Sequence, residues 1–104
     1  MNIMISGKDF SLTPALKAFV EIKIQKLFHL APSIQSAKVE LDVDRNKHKG
    51  DIFRAEISVV MRGTALKAGD KSEHMQSAIL RSIEKLSRRV TTLKEKNISS
   101  HKRQ

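Results

Sequence analysis

A chain of 104 residues with 39% apolar and 30% charged side chains has the make-up of one globular domain, with room for one modest core and not for two. It has no cysteine, which excludes disulfides, thiolate nucleophiles and zinc–thiolate sites, and no apolar run approaches the roughly 18 residues that cross a bilayer. Twenty Lys and Arg against eleven Asp and Glu leave +9, and from Arg81 onward eight cations meet only Glu84 and Glu95, an uneven charge that suits polyphosphate or an anionic membrane.

Taken in chain order, NIMIS (2–6) alternates Ile3 and Ile5 with polar neighbours and predicts a short strand. No charged segment followed by a long apolar stretch opens the chain, so no secretory signal is expected, and a reducing, cytoplasmic location is. Thr13-Pro14 marks a helix start, with Thr as N-cap and Pro in the first helical position. Leu16, Phe19, Val20, Lys23, Ile24 and Leu27 then recur at spacings of three and four, predicting a helix over 14–29 that Pro32 keeps from continuing.

In SAKVELDVD (36–44) the period changes to two: Ala37, Val39, Leu41 and Val43 alternate with Lys38, Glu40, Asp42 and Asp44, the pattern of a half-buried strand. RNKHKGD (45–51) predicts an exposed hairpin loop. FRAEISVVM (53–61) sets Phe53, Ala55, Ile57, Val59 and Met61 on one face. Arg62-Gly63 is the next turn, and Leu66 with Ala68 predicts a fourth, shorter strand. Ser72 is the expected N-cap of a second helix with an apolar stripe of Met75, Ala78, Ile79, Ile83, Leu86, Val90 and Leu93. The polar residues 97–104 predict a short, basic, disordered tail, leaving a single domain over 1–96.

The order is therefore β-α-β-β-β-α. Strands on either side of a helix imply a parallel pair, and short turns imply antiparallel ones. Alternating strands offer one apolar face, so both helices must cover that face. The expected fold is α+β in two layers: a four-stranded mixed sheet with both helices on one side.

Chemistry of the catalytic kind is thin. His29, His48, His74 and His101 are scattered and make no metal-binding spacing, and no glycine-rich phosphate loop occurs. Glu40, Asp42 and Asp44 share a strand face, but Lys38 and Arg54 are there to partner them as a solvated outer surface. The reading is no enzyme, no metal and no cofactor. Cations are the better lead. Lys23 and Lys26 fall one turn apart on the first helix, and Arg81, Lys85, Arg88 and Arg89 form a stripe on the second. Most charged helix faces are simply solvated, so the partner has to be argued. A membrane-surface helix needs an exposed apolar face, which here is required to cover the sheet. No helix-turn-helix for DNA is visible. Aromatic stacking platforms for single-strand readout are scarce, with four Phe and neither Tyr nor Trp. Structured RNA, gripped through phosphates and shape, fits best. With both helices on one sheet face, their cations are expected to adjoin as one surface.

Two stretches resemble the bacterial ribosome hibernation-promoting factors, also called ribosome-associated inhibitors or sigma-54 modulation proteins. The first carries Thr13, Ala15, Leu16, Phe19, Lys23, Lys26 and Leu27, and the second carries Met75, Ala78, Ile79, Ile83, Lys85, Leu86 and Arg88; Gly63, Leu66 and Ala68 match the turn and fourth strand between them. The chain departs at His74, Gln76 and Leu80, where the family usually has Asp, Tyr and Asp. The resemblance implies a fold similar to a double-stranded-RNA-binding domain with an added strand. It implies a short-type factor on the small ribosomal subunit of the 70S ribosome, in the space of mRNA and of A- and P-site tRNA. Such a factor halts translation in stress or stationary phase, in some cases alongside a separate ribosome-dimerising factor. It also implies rRNA contacts through Lys23, Lys26, Arg81, Lys85, Arg88 and Arg89, with Lys47, Lys49 and Lys96 as further candidates. The rival reading is a regulatory protein-interaction module acting on a transcription factor or enzyme through the acidic outer sheet face.

Overall fold

The computed structural model describes residues 2–9, 11–46 and 50–102, except for the side chains of residues 46 and 96–102. Its elements are β1 (Asn2–Lys8), α1 (Pro14–Leu30), β2 (Ile34–Asn46), β3 (Gly50–Met61), β4 (Thr64–Ser72) and α2 (Met75–Lys102). The sheet order is β1-β2-β3-β4, with β1 parallel to β2 and the other pairs antiparallel. The β-α-β-β-β-α order and the mixed four-stranded sheet are those expected from the period of the apolar residues.

Local chemistry explains each junction. The Thr13 hydroxyl accepts the Leu16 amide at 3.1 Å, and Pro14 follows at the first helical position, so α1 starts where the sequence says it must. Between β3 and β4, Arg62 (φ 52°) and Gly63 (φ 76°) both have positive φ, the pattern of a type I′ hairpin turn, whose twist matches that of its strands. The second helix starts later than Ser72 suggests. Ser72 ends β4, and its hydroxyl accepts the His74 amide at 3.4 Å; the His74 carbonyl then accepts the Ala78 amide at 3.0 Å, so His74 holds the capping position.

The ladder brings Ile3, Ala37, Val59 and Leu66 into one row, and Ile5, Val39, Ile57 and Ala68 into the next, all on one face. Onto it pack Val20, Ile24, Leu27 and Phe28 of α1 and Ala78, Ile79, Leu86 and Val90 of α2, giving one continuous core. Phe19 and Phe53 are half-buried against that core, as their positions in the two stripes predict. Where α2 crosses β3, the buried residue is Ser82, with no exposed surface. Its hydroxyl lies 2.8 Å from the Ala78 carbonyl oxygen and 3.1 Å from that of Ala55, so the one polar atom in the contact is satisfied.

Three boundaries differ from expectation, each for a physical reason. β4 spans nine residues, because its polar positions pair with β3 from Phe53↔Ser72 to Met61↔Thr64 whatever their hydropathy. The 45–51 loop shrinks, since Arg45↔Asp51 and Asn46↔Gly50 extend the ladder and the two charged side chains pair at 3.6 Å; residues 47–49 lie outside the described residues. And α2 continues to Lys102, so the backbone of 97–102 is helical where a disordered tail is expected from polarity. Helix hydrogen bonds close within the segment itself, so a polar stretch can extend a helix already nucleated upstream.

Candidate nucleic-acid interface

Charge divides by layer. The four strands hold six Lys and Arg (Lys8, Lys38, Arg45, Arg54, Lys67, Lys71) and six carboxylates, a net of zero. The two helices hold ten Lys and Arg against Glu21, Glu84 and Glu95, a net of +7 out of the chain's +9. The sheet's outer face is internally balanced: Lys38 lies 3.5 Å from Glu40, Arg54 2.6 Å from Asp42 and Lys67 3.3 Å from Glu56. The field that reaches solvent therefore comes from the helix side.

Lys26 is exposed, and Lys23 is half-buried with its ammonium 5.5 Å from the centre of the Phe19 ring, a cation–π contact that holds it against the helix. On α2, three successive turns face the free edge of β4. Arg81 Nη1 donates to the Lys71 carbonyl at 3.4 Å, Lys85 Nζ lies 3.1 Å from Asp70 Oδ2, and Arg89 Nη1 donates to the Lys67 carbonyl. Arg88 stands outside them, bonded to Glu84 at 2.8 Å one turn back, with 76% of its side chain exposed.

These contacts correct the expected single surface. Lys94 Nζ donates to the Leu30 carbonyl at 2.8 Å, satisfying an orphan group at the C-terminus of α1, so the Lys94 side of α2 faces α1. Lys85 is nine residues earlier, and at ~100° per residue it projects from the opposite side of the helix. The α2 stripe therefore turns toward β4 and away from α1. Arg81, Lys85 and Arg89 thus line the β4 side of the helix layer, apart from the side on which α2 meets α1. Sequence spacing shows which residues share a side; it does not show which neighbour that side meets. Lys47, Lys49 and the Lys96 side chain fall outside the described residues.

Asp70 is the carboxylate that periodicity passes over, although its place two residues beyond Ala68 puts it on the helix-facing side of β4. Its Oδ1 accepts the Lys71 amide at 2.8 Å and its Oδ2 pairs with Lys85. The Lys71 amide first, then Lys85, and at longer range Arg81, hold its pKa below the ordinary aspartate value, against a smaller upward push from desolvation. A folded pKa below the unfolded one adds stability that is present above ~3.9 and is lost as pH falls through the folded value. Acid unfolding of Asp70→Asn, followed by circular dichroism, should accordingly show a weaker loss of stability below about pH 4 than the unaltered chain. Identical acid limbs would mean that these contacts are not kept in solution.

Among the described residues no group of three or more His, Cys, Asp or Glu is placed to hold a metal, and no helix is long and apolar enough to cross a membrane. The arrangement is a basic helix layer on a sheet whose charges balance. The family model described as sigma 54 modulation protein / S30EA ribosomal protein matches residues 3–98, and the chain belongs to that family. It is 33% identical over 98 residues to a ribosome hibernation promoting factor of Azotobacter vinelandii, with 94% of this chain and 87% of that one covered. It is 30% identical over 98 residues to a ribosome hibernation promotion factor of Picosynechococcus, of which it spans about half, 51%, while 93% of this chain is covered. Among solved structures, a ribosomal subunit interface protein from Coxiella burnetii superposes with a TM-score of 0.80 at 20% identity (91% of this chain, 99% of that one), a likeness of fold. The N-terminal domain of Thermus thermophilus Protein Y superposes with a TM-score of 0.74 at 27% identity, with 89% and 99% covered. The family expected from the Thr13–Leu27 and Met75–Arg88 residues is the one that matches.

Proposed function

We propose that this chain is a ribosome-binding hibernation factor. It occupies the mRNA and tRNA channel of the small ribosomal subunit at the A and P sites, is held there by rRNA contacts, and blocks translation in the cytoplasm of stressed or stationary-phase cells. The observation that carries the reading is the split of charge by layer, +7 on the helices and zero on the strands, in a chain of this family. The mechanism needs no bond chemistry. A rigid body carrying spaced cations displaces counterions from rRNA phosphates, and its volume excludes the substrates of translation. The names of the relatives, ribosome hibernation promoting factors, support the partner.

The rival reading, a protein-interaction module using the outer sheet face with Glu40, Asp42, Asp44 and Glu56, is less favoured because three of these four carboxylates, Glu40, Asp42 and Glu56, are each matched by a cation within 3.5 Å. The test is sedimentation of the pure protein with vacant ribosomes and isolated small subunits. Binding is expected at low salt, falling as a power of salt concentration as counterions are released. A protein that stays at the top of the gradient at 50 mM salt would overturn the proposal.

A further inference from the structure

The free edge of β4 is armed with cations in a way that the helix-based reading does not use. Arg81 and Arg89 each donate to a β4 carbonyl, Lys71 and Lys67 respectively, and among the described residues β4 pairs only with β3, so these carbonyls face the open edge. Each guanidinium commits one side of its fork to the strand and keeps further N–H donors for an outside acceptor. Residues 67, 69 and 71 share the same pleat position, so Gly69 also turns its amide to the edge, between the two capped carbonyls. Gly69 carries no side chain, and a Cβ there would stand 2.9 Å from the Ala55 carbonyl oxygen. Gly69 itself thus adds no side-chain atoms at that point of the edge. On the outer side Lys67 and Lys71 flank the gap, lining with Arg89 one end of a shallow depression over Gly69 whose other end carries Glu40, Asp42 and Arg54. On the helix side Arg81, Lys85 and Arg89 overhang it at intervals of ~6 Å.

From this arrangement we infer that a phosphodiester backbone of structured RNA runs along the β4 edge, between Lys67 and Lys71 on one side and Arg81, Lys85 and Arg89 on the other, over the amide of Gly69. The inference rests on the rRNA-binding reading and adds Lys67 and Lys71, which lie on a strand and outside both helical stripes. Lys67, Lys71, Arg81, Lys85 and Arg89 outnumber the nearest carboxylates, Glu56 and Asp70, while Glu40 and Asp42 further along the outer face are partnered by Lys38 and Arg54; the pairs Lys67–Glu56 and Lys85–Asp70 are open enough to solvent for a phosphate to compete for them. Shape agrees with charge: an edge strand offers a straight, rigid line of donors.

The experiment uses the whole chain and vacant ribosomes. Lys67→Gln/Lys71→Gln is compared with Lys23→Gln/Lys26→Gln, with circular dichroism and thermal midpoints recorded for both. The chain has no cysteine, so Lys67→Cys and Lys71→Cys each give a unique thiol to carry a benzophenone photo-crosslinker. The expected result is a loss of affinity of roughly tenfold for the Lys67/Lys71 pair with the fold unchanged, together with RNA crosslinks from both thiol positions. An affinity within twofold of the unaltered chain, or crosslinks to protein only, overturns the inference even if Lys23/Lys26 shows a loss. If the unaltered chain does not bind ribosomes, the parent reading falls and this one falls with it.

Discussion

Replacing Lys85 and Arg88 by glutamine should lower affinity for vacant ribosomes by at least about tenfold, from two lost phosphate contacts of about 1 kcal/mol each. The plot of log affinity against log salt should become shallower by roughly two, the signature of two contacts removed. Glutamine is chosen over glutamate because Lys85 lies 3.1 Å from Asp70, where a second carboxylate would add like-charge repulsion to the strand edge. Neither residue is buried, and the Arg88–Glu84 pair is largely exposed, so stability should change by no more than about 0.5 kcal/mol. Lys8→Gln/Lys38→Gln is the control. It removes the same charge from the outer face of β1 and β2, at the far side of the sheet from β4. Equal losses from the two pairs would mean that binding follows net charge alone, and the helix-flank geometry would have no role.

The fold was legible because each layer repeats one signal many times. Val39, Leu41 and Ile57 alternate with polar residues and Val59 follows Ser58, and all four are fully buried or nearly so. Thr13 and Pro14 act through the first turn alone, so their meaning survives any tertiary context. Where one signal stood for a boundary, the sequence misled. Ser72 has the right side chain for a cap but is held in the β4 ladder by Phe53, which moves the cap two residues on. The six helix cations were legible as residues but not as a surface. Periodicity gives the angle of Arg81, Lys85 and Arg89 around α2, whereas their proximity to β4 depends on how α2 lies on the sheet. Lys67 and Lys71 carried no signal at all, because a lysine on a strand reads as solvated face until an arginine is seen bound beside it.

The second large effect separates the two sides of α2. Leu86 has no exposed surface and sits one turn from both Ser82 and Val90, which are equally buried, so Leu86→Ala opens a cavity in the contact between helix and sheet. The expected cost is ~2–5 kcal/mol, read as a lower urea midpoint at unchanged slope. A chain of 104 residues has roughly 5–15 kcal/mol to lose, so the variant should be weakened yet still fold in the milder cases. Leu80→Ala is the matched control on the same helix: Leu80 is 44% exposed, and its loss should cost no more than about 0.5 kcal/mol. The ribosome readout adds a further distinction. Leu86→Ala leaves every cation in place, so any fall in binding should track the unfolded fraction and leave the salt slope unchanged. A similar cost at both leucines would place the buried stripe of α2 elsewhere, and with it the flank on which Arg81, Lys85 and Arg89 meet β4.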